Sequence, residues 1–200
     1  MINIMVDIET LSTDSNAVVL TIGAIPFLSD GTIAVDKDMY FYERVNLSSY
    51  NKYVNNEFSF NYETLLWWLK QKEEIRNDTF LNGPRYNIEV VMQDFSNYLM
   101  IIKAYFKVDK INIWSHGKDF DVVILQNAFK VCKLECPWKF WDTRDTRTIY
   151  ALANIDLKNI GGFNDHDAIE DCLKQIEGIK QSYKIINSSV DRKICKRFKK

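Results

Sequence analysis

Two hundred residues are enough for one domain with a sizeable hydrophobic core. The chain is 46% hydrophobic and 26% charged, an ordinary soluble globular composition. Its net charge of −1 excludes an overall field that would draw in a polyanion, so nucleic-acid binding would need local basic patches or bound metal.

Cys132, Cys136, Cys172 and Cys195 form no Cys-x-x-Cys pair, and with only two histidines they argue against a zinc cage and for reduced thiols. The opening residues, "MINIMVDIE", lack a basic segment followed by a long apolar run, so no signal peptide is expected. No apolar run reaches the roughly 18 residues of a membrane span. These features predict a reducing, cytoplasmic compartment and no membrane partner.

In chain order, "INIMVDIE" is rich in Ile and Val and predicts a buried first strand. "AVVLTIGAIPFL" predicts a second, "SDG" a turn, and "TIAVDKDMYFYERV" contains a third, more alternating strand. Short turns between them suggest an antiparallel meander. "YETLLWWLKQKEEI" has helical spacing, and "NGPR" breaks the chain. A long amphipathic helix follows in "NIEVVMQDFSNYLMIIKAYF", then a short apolar strand in "KINIWSH". The remainder predicts a helix in "DFDVVILQNAFKVC", a brief strand in "WKFWD", a helix in "TRDTRTIYALANI" and a final long helix in "DHDAIEDCLKQIEGIKQSY". This order predicts an α/β fold, a mixed sheet covered by helices, without repeats or an interdomain linker.

Acids recur at positions that invite chemistry. Asp7 and Glu9 lie two apart on an otherwise apolar strand, so both face one side. Either they reach water at the strand end, or a cation relieves their repulsion. Asp121 opens a helix, where a carboxylate suits the positive dipole end, and Asp119 is a candidate cap in the same turn. The stretch "NDHDAIEDC" crowds four acids around His166. His166 and Asp171 are five apart, which on a continuous helix turns about 500° and separates them. They converge only if His166 precedes the helix, with Gly161 and Gly162 supplying a flexible approach and Asp165 or Asp167 capping. A surface histidine at a helix start is the alternative.

The ordered set "DIE" (Asp7, Glu9), "KDFDVVIL" (Asp121) and "HDAIED" (His166, Asp171) resembles the DnaQ-like exonucleases of the DEDDh branch. "TLLWWLKQ" and "KFWDTRDTRT" resemble segments of DexA-type phage exonucleases and RNase AS-like exoribonucleases. The resemblance implies an RNase H-like fold: a five-stranded mixed sheet, its first three strands antiparallel, with helices on both faces. It further implies a nuclease domain over residues 1–185 and a basic tail over 186–200. Many relatives carry a Gly soon after Asp-x-Glu, whereas here none appears until Gly23.

By this resemblance, Asp7, Glu9, Asp121 and Asp171 hold two Mg²⁺ or Mn²⁺ ions, which in such sites lie about 3.5–4 Å apart and stabilise the attacking and leaving oxygens. His166, with an ordinary pKa near 6.5, suits the proton acceptor. Thr10 and Leu11 would meet the terminal nucleotide. Trp67 and Trp68 point about 100° apart, so one is a stacking surface and the other core, or both are core; Trp68 is assigned to the substrate. Arg144 and Arg147, three apart on a predicted helix face, would hold phosphate or pair with Asp142 or Asp145. His116 is taken as structural. The tail "RKICKRFKK", six basic residues in nine, would touch a nucleic-acid backbone or fray into solvent.

The implied activity is 3′-to-5′ removal of nucleoside 5′-monophosphates from a single-stranded end. The DexA likeness leans slightly toward DNA and the RNase AS likeness toward RNA; the latter also implies a homodimer by analogy. A short-oligonucleotide nuclease and an inactive RNase H-like binding module are the competing expectations.

Overall fold

The computed structural model describes residues 2–53, 57–164 and 166–197, with 189–197 as backbone only. Strands β1 (Ile2–Thr10), β2 (Val19–Leu28), β3 (Phe41–Arg44), β4 (Ile111–Ser115) and β5 (Thr143–Asp145) form one sheet in the order β3-β2-β1-β4-β5. β1 to β3 are an antiparallel meander, whereas β4 joins β1, and β5 joins β4, in parallel. The predicted mixed sheet is therefore present, with β1 at its centre.

Period-two alternation along β1 assigns each side chain a face. Ile4, Val6 and Ile8 join the core under α3 (Ile88–Phe106) and α4 (Asp121–Val131), with Phe95, Leu99 and Phe129. Met5 faces the other way, packing with Tyr150 of α5 (Thr146–Ala153) and Cys172, Ile176 and Ile179 of α6 (Ala168–Arg197). Helices thus cover both faces, so β1 reads as a continuous apolar run instead of an alternating one. Asp7 and Glu9 share the odd register of Met5, toward α6.

The single helix predicted over 62–75 is two, α1 (Tyr62–Leu69) and α2 (Glu73–Phe80). Each has its own anchor. Trp68 Nε1 donates to Thr10 O at 2.9 Å, tying α1 to β1. In α2, Asp78 accepts from Tyr42 Oη at 2.6 Å and pairs with Arg44, both on β3. The strand predicted at "WKFWD" is instead a short 3₁₀ turn (Phe140–Asp142), and pairing begins at Thr143. The next helix starts only at Thr146, because Asp145 caps it by accepting from Arg147 N at 2.9 Å. The expected domain boundary at 185 falls inside α6, and the basic side chains of the tail lie outside the described side chains.

Glycines let α6 sit close over the sheet, Gly31 against Lys180 and Gly23 against the first turn. Gly23 of β2 pairs with Asp7, and a Cβ there would lie 2.7 Å from the Ala168 carbonyl atoms in the first turn of α6. Gly23→Ala is expected to push that turn outward, costing about 1–3 kcal/mol of stability and reducing any activity that needs α6 against β1. Thermal unfolding checks the first effect; an unchanged unfolding temperature contradicts it.

Candidate active site

The carboxylates come from three separate elements that end at one place. Asp7 and Glu9 lie near the C-terminal end of β1, where pairing with β2 is interrupted between Glu9 and Thr10. The parallel partner β4 runs to the same end of the sheet and leads, through residues 116–120, to Asp121 at the first position of α4. Asp121 is only 4% exposed. Asp119 does not cap α4 as expected; it is exposed and bonds to the neighbouring Lys118 Nζ at 2.6 Å. Across the sheet, Asp167 caps α6 by accepting from Ile169 N and Glu170 N at 2.9 and 3.1 Å. Asp165 lies outside the described residues.

On α6, residues four apart share a face. Asp171 and Gln175 therefore both look toward β1, and Gln175 Nε2 donates to Asp7 Oδ1 at 2.7 Å. His166 stands before the helix with φ +69°, in the left-handed region that few non-glycine residues adopt. That turn lets its backbone N donate to Asp171 Oδ2 at 2.9 Å, across the five-residue gap that a helix would have splayed. The imidazole meets the Trp67 ring edge-on, centroids 4.7 Å apart. Asp7, Glu9, Asp121, His166, Asp171 and Gln175 thereby line a single cleft.

Electrostatics explains what such a cleft needs. Burial, then the charges of Asp121, Glu9 and Asp171, push the Asp7 carboxyl well above the usual range, with Gln175 opposing. Glu9 rises for the same reasons: burial first, then Asp171, Asp121 and Asp167. Burial carries Asp121 up to about 7 against backbone donors and the attraction of Arg147. Four ionised carboxylates cannot share this volume without a counter-charge. Glu9, His166 and Asp171 place potential ligand atoms within 4.8 Å of one another, and the hard oxygen donors fit a divalent cation such as Mg²⁺ or Mn²⁺.

The expected substrate contacts fare differently. Thr10 lines a second cleft with Asn61, Thr64, Trp67 and Phe120, although its Oγ1 donates to Ser12 O at 2.7 Å. Leu11 turns inward: its side chain is 8% exposed, its N donates to Val18 O and its O accepts from Asn61 N. Trp68 also lines this second cleft, but it is 1% exposed and its indole N–H holds Thr10 O, so it forms the buried back of the wall. The exposed indole on that wall is Trp67, at 40%. Arg144 is on β5 and Arg147 on α5, so they do not share the predicted helix face. Arg144 Nη1 donates to Trp141 O and Thr143 O, in a separate cleft beside Trp114 and Tyr183.

His116 makes the structural contact expected of it, Nδ1 to Thr146 Oγ1 at 2.8 Å, yet it also borders the carboxylate cleft. Gln175, Lys174 and Phe120 line that cleft without having been singled out in the sequence. Helical spacing offered a signal for two of them, since Lys174 and Gln175 fall three and four residues after Asp171.

Residues 2–182 match the family described as the 3′-5′ exoribonuclease Rv2179c-like domain. The exodeoxyribonuclease of Enterobacteria phage T4 is 27% identical over 201 residues, covering 88% of this chain and 86% of that protein. In fold the chain is similar to E. coli exonuclease I in complex with a dT13 oligonucleotide, with a TM-score of 0.62 and 15% identity over 96% of this chain. It is also similar to the zinc-bound complex of E. coli exonuclease I with single-stranded DNA, with a TM-score of 0.60 and 16% identity over 90% of this chain. The chain spans 43% and 40% of the length of those two chains, and the shared architecture is the RNase H-like exonuclease fold.

Proposed function

Since the chain belongs to the 3′-5′ exoribonuclease Rv2179c-like domain family of DnaQ-like 3′-5′ exonucleases, we propose that it is a DEDDh enzyme hydrolysing single-stranded nucleic acid from the 3′ end. The observation that carries this proposal is the convergence of Asp7, Glu9, Asp121, Asp171 and His166 in one cleft. Two divalent cations held by the four carboxylates would neutralise them, admit a phosphodiester, and stabilise charge on its attacking and leaving oxygens. The zinc-bound form of E. coli exonuclease I supports a metal requirement in this fold.

The chain's own groups supply the remaining steps. Gln175 orients Asp7 through the 2.7 Å bond to Oδ1, and the His166 backbone N–H orients Asp171. The imidazole of His166 accepts the proton of the attacking water. The perpendicular contact with Trp67 restrains the plane of that ring. The Trp67–Phe120 cleft, contiguous with the carboxylates through Glu9, takes the terminal nucleoside. The product is a nucleoside 5′-monophosphate.

DNA is the first substrate proposed, supported by the name of the T4 relative; the family description supports RNA as the second. The test is end-labelled single-stranded DNA and RNA of matched sequence, incubated with Mg²⁺, Mn²⁺ or chelator. Cation-dependent release of mononucleotides is expected. No release from either polymer, or release in chelator, contradicts the proposal.

A further inference from the structure

Three clefts adjoin in a row. The Trp67 cleft shares Ile8, Glu9 and Phe120 with the carboxylate cleft, which in turn shares His116, Leu157 and Lys174 with a third. The first and third have no lining residue in common. A further cleft meets the carboxylates through His166, but it bears Glu74, Asp78 and Asp167 against one cation, Lys72, and so repels phosphate. The basic neighbour is the third cleft, a groove bearing Arg147, Lys158 and Lys174 against one acid, Asp156, and it lies away from the aromatic-walled cleft.

This groove is built, not merely basic. Gly117 adopts φ +110°, a backbone conformation that favours glycine, and the Arg147 guanidinium closes over it, 2.9 Å from where a Cβ would stand. Asp145, which might have captured Arg147, accepts instead from the backbone N–H groups of Arg147 and Lys118 at 2.9 and 3.2 Å. Asp156 accepts from Lys158 N at 3.0 Å, shaping the turn that presents Lys158. In a chain of net charge −1, three cations around one groove are a local departure.

The charge of a nucleic-acid strand is also uneven about the bond to be cut. Beyond that bond, the 3′-terminal nucleoside carries no further phosphate. Before it, every nucleotide adds one. We propose, resting on the exonuclease reading above, that the Arg147–Lys158–Lys174 groove binds the backbone phosphates on the 5′ side of the scissile bond. The strand therefore runs from this groove, across the carboxylates, to its 3′ end beside Trp67. Side chains there meet phosphates and not base edges, so the groove raises affinity without reading sequence.

A length series tests this. A 5′-unphosphorylated dinucleotide has only the scissile phosphate, whereas a tetranucleotide places two more in the groove. Steady-state kcat/KM is measured for both with the wild type, Lys158→Gln, the double variant Arg147→Gln/Lys158→Gln, Lys158→Arg and Trp67→Ala. The expected result is a tetranucleotide-to-dinucleotide ratio about tenfold lower in the double variant, carried by KM. The salt dependence of log KM for the tetranucleotide should fall by about 0.7 per cation removed. Lys158→Arg should retain the ratio. A ratio unchanged in the double variant overturns the proposal, as does a ratio lost in Trp67→Ala instead, which would reverse the strand. Failure of the exonuclease reading itself is distinct: the wild type would release no mononucleotide from either length.

Discussion

Asp7→Asn is expected to lower turnover by at least about a thousandfold and, in the same protein, to raise the unfolding temperature of the cation-free form at pH 8. The two effects share one cause. Asp7 is pushed well above the ordinary carboxylate range by burial and by Asp121, Glu9 and Asp171. A carboxyl whose folded pKa is raised favours the folded state fully below its unfolded pKa, near 4, and loses that contribution as pH rises through the folded value. Asp121 sets one edge of this window, at about 7. Cation-free wild type should therefore lose stability between about pH 4 and pH 8. The Asn amide removes one of the repelling charges while its Oδ1 still accepts from Gln175, so the slope should flatten. Turnover falls because a cation ligand is lost, and such ions contribute several kcal/mol of transition-state stabilisation. Thermal unfolding at pH 5 and pH 8, with chelator and with Mn²⁺, checks both signs. Mn²⁺ should stabilise wild type at pH 8 more than the variant; equal slopes in the two proteins would remove the electrostatic account of the cleft.

His166→Asn is expected to lower kcat about 10²–10⁴-fold, the usual contribution of a general base, while leaving Mn²⁺ affinity within a few-fold. Asn is the better replacement because it tolerates the left-handed backbone of this position more readily than Ala. The variant separates two roles that geometry alone brings close, since the imidazole shares a 4.8 Å cluster with Glu9 and Asp171. If His166 is a metal ligand instead of a base, Mn²⁺ affinity and kcat should fall together. Isothermal titration with Mn²⁺, beside single-turnover rates at saturating Mn²⁺, decides between them.

How much of this was legible depended on whether a signal was local. β1 and the shared face of Asp7 and Glu9 follow from a strand's period, and Asp121 at a helix start follows from chain order. The His166–Asp171 pair was legible only as a condition, that His166 precede the helix. The φ of +69° meets that condition, and nothing in the composition of "NDHDAIEDC" dictates it. The two tryptophans show the opposite limit. Helical spacing says that one of Trp67 and Trp68 is core, but the choice is made by the distant Thr10 carbonyl, which accepts the Trp68 N–H. The helix position expected of Arg144 failed for a related reason: the Asp145 cap starts α5 two residues beyond it, leaving it on a strand. The close seat of α6 over Gly23 is likewise a tertiary fact, invisible until β2 and α6 are placed together.

The central claim is that divalent cations occupy the cleft between β1, α4 and α6. Anomalous diffraction from crystals soaked in Mn²⁺ tests it most directly. Two manganese peaks bounded by Asp7, Glu9, Asp121 and Asp171, with His166 beside them, are expected. A cleft without manganese at saturating concentration, or peaks only at unrelated surface acids, would contradict it.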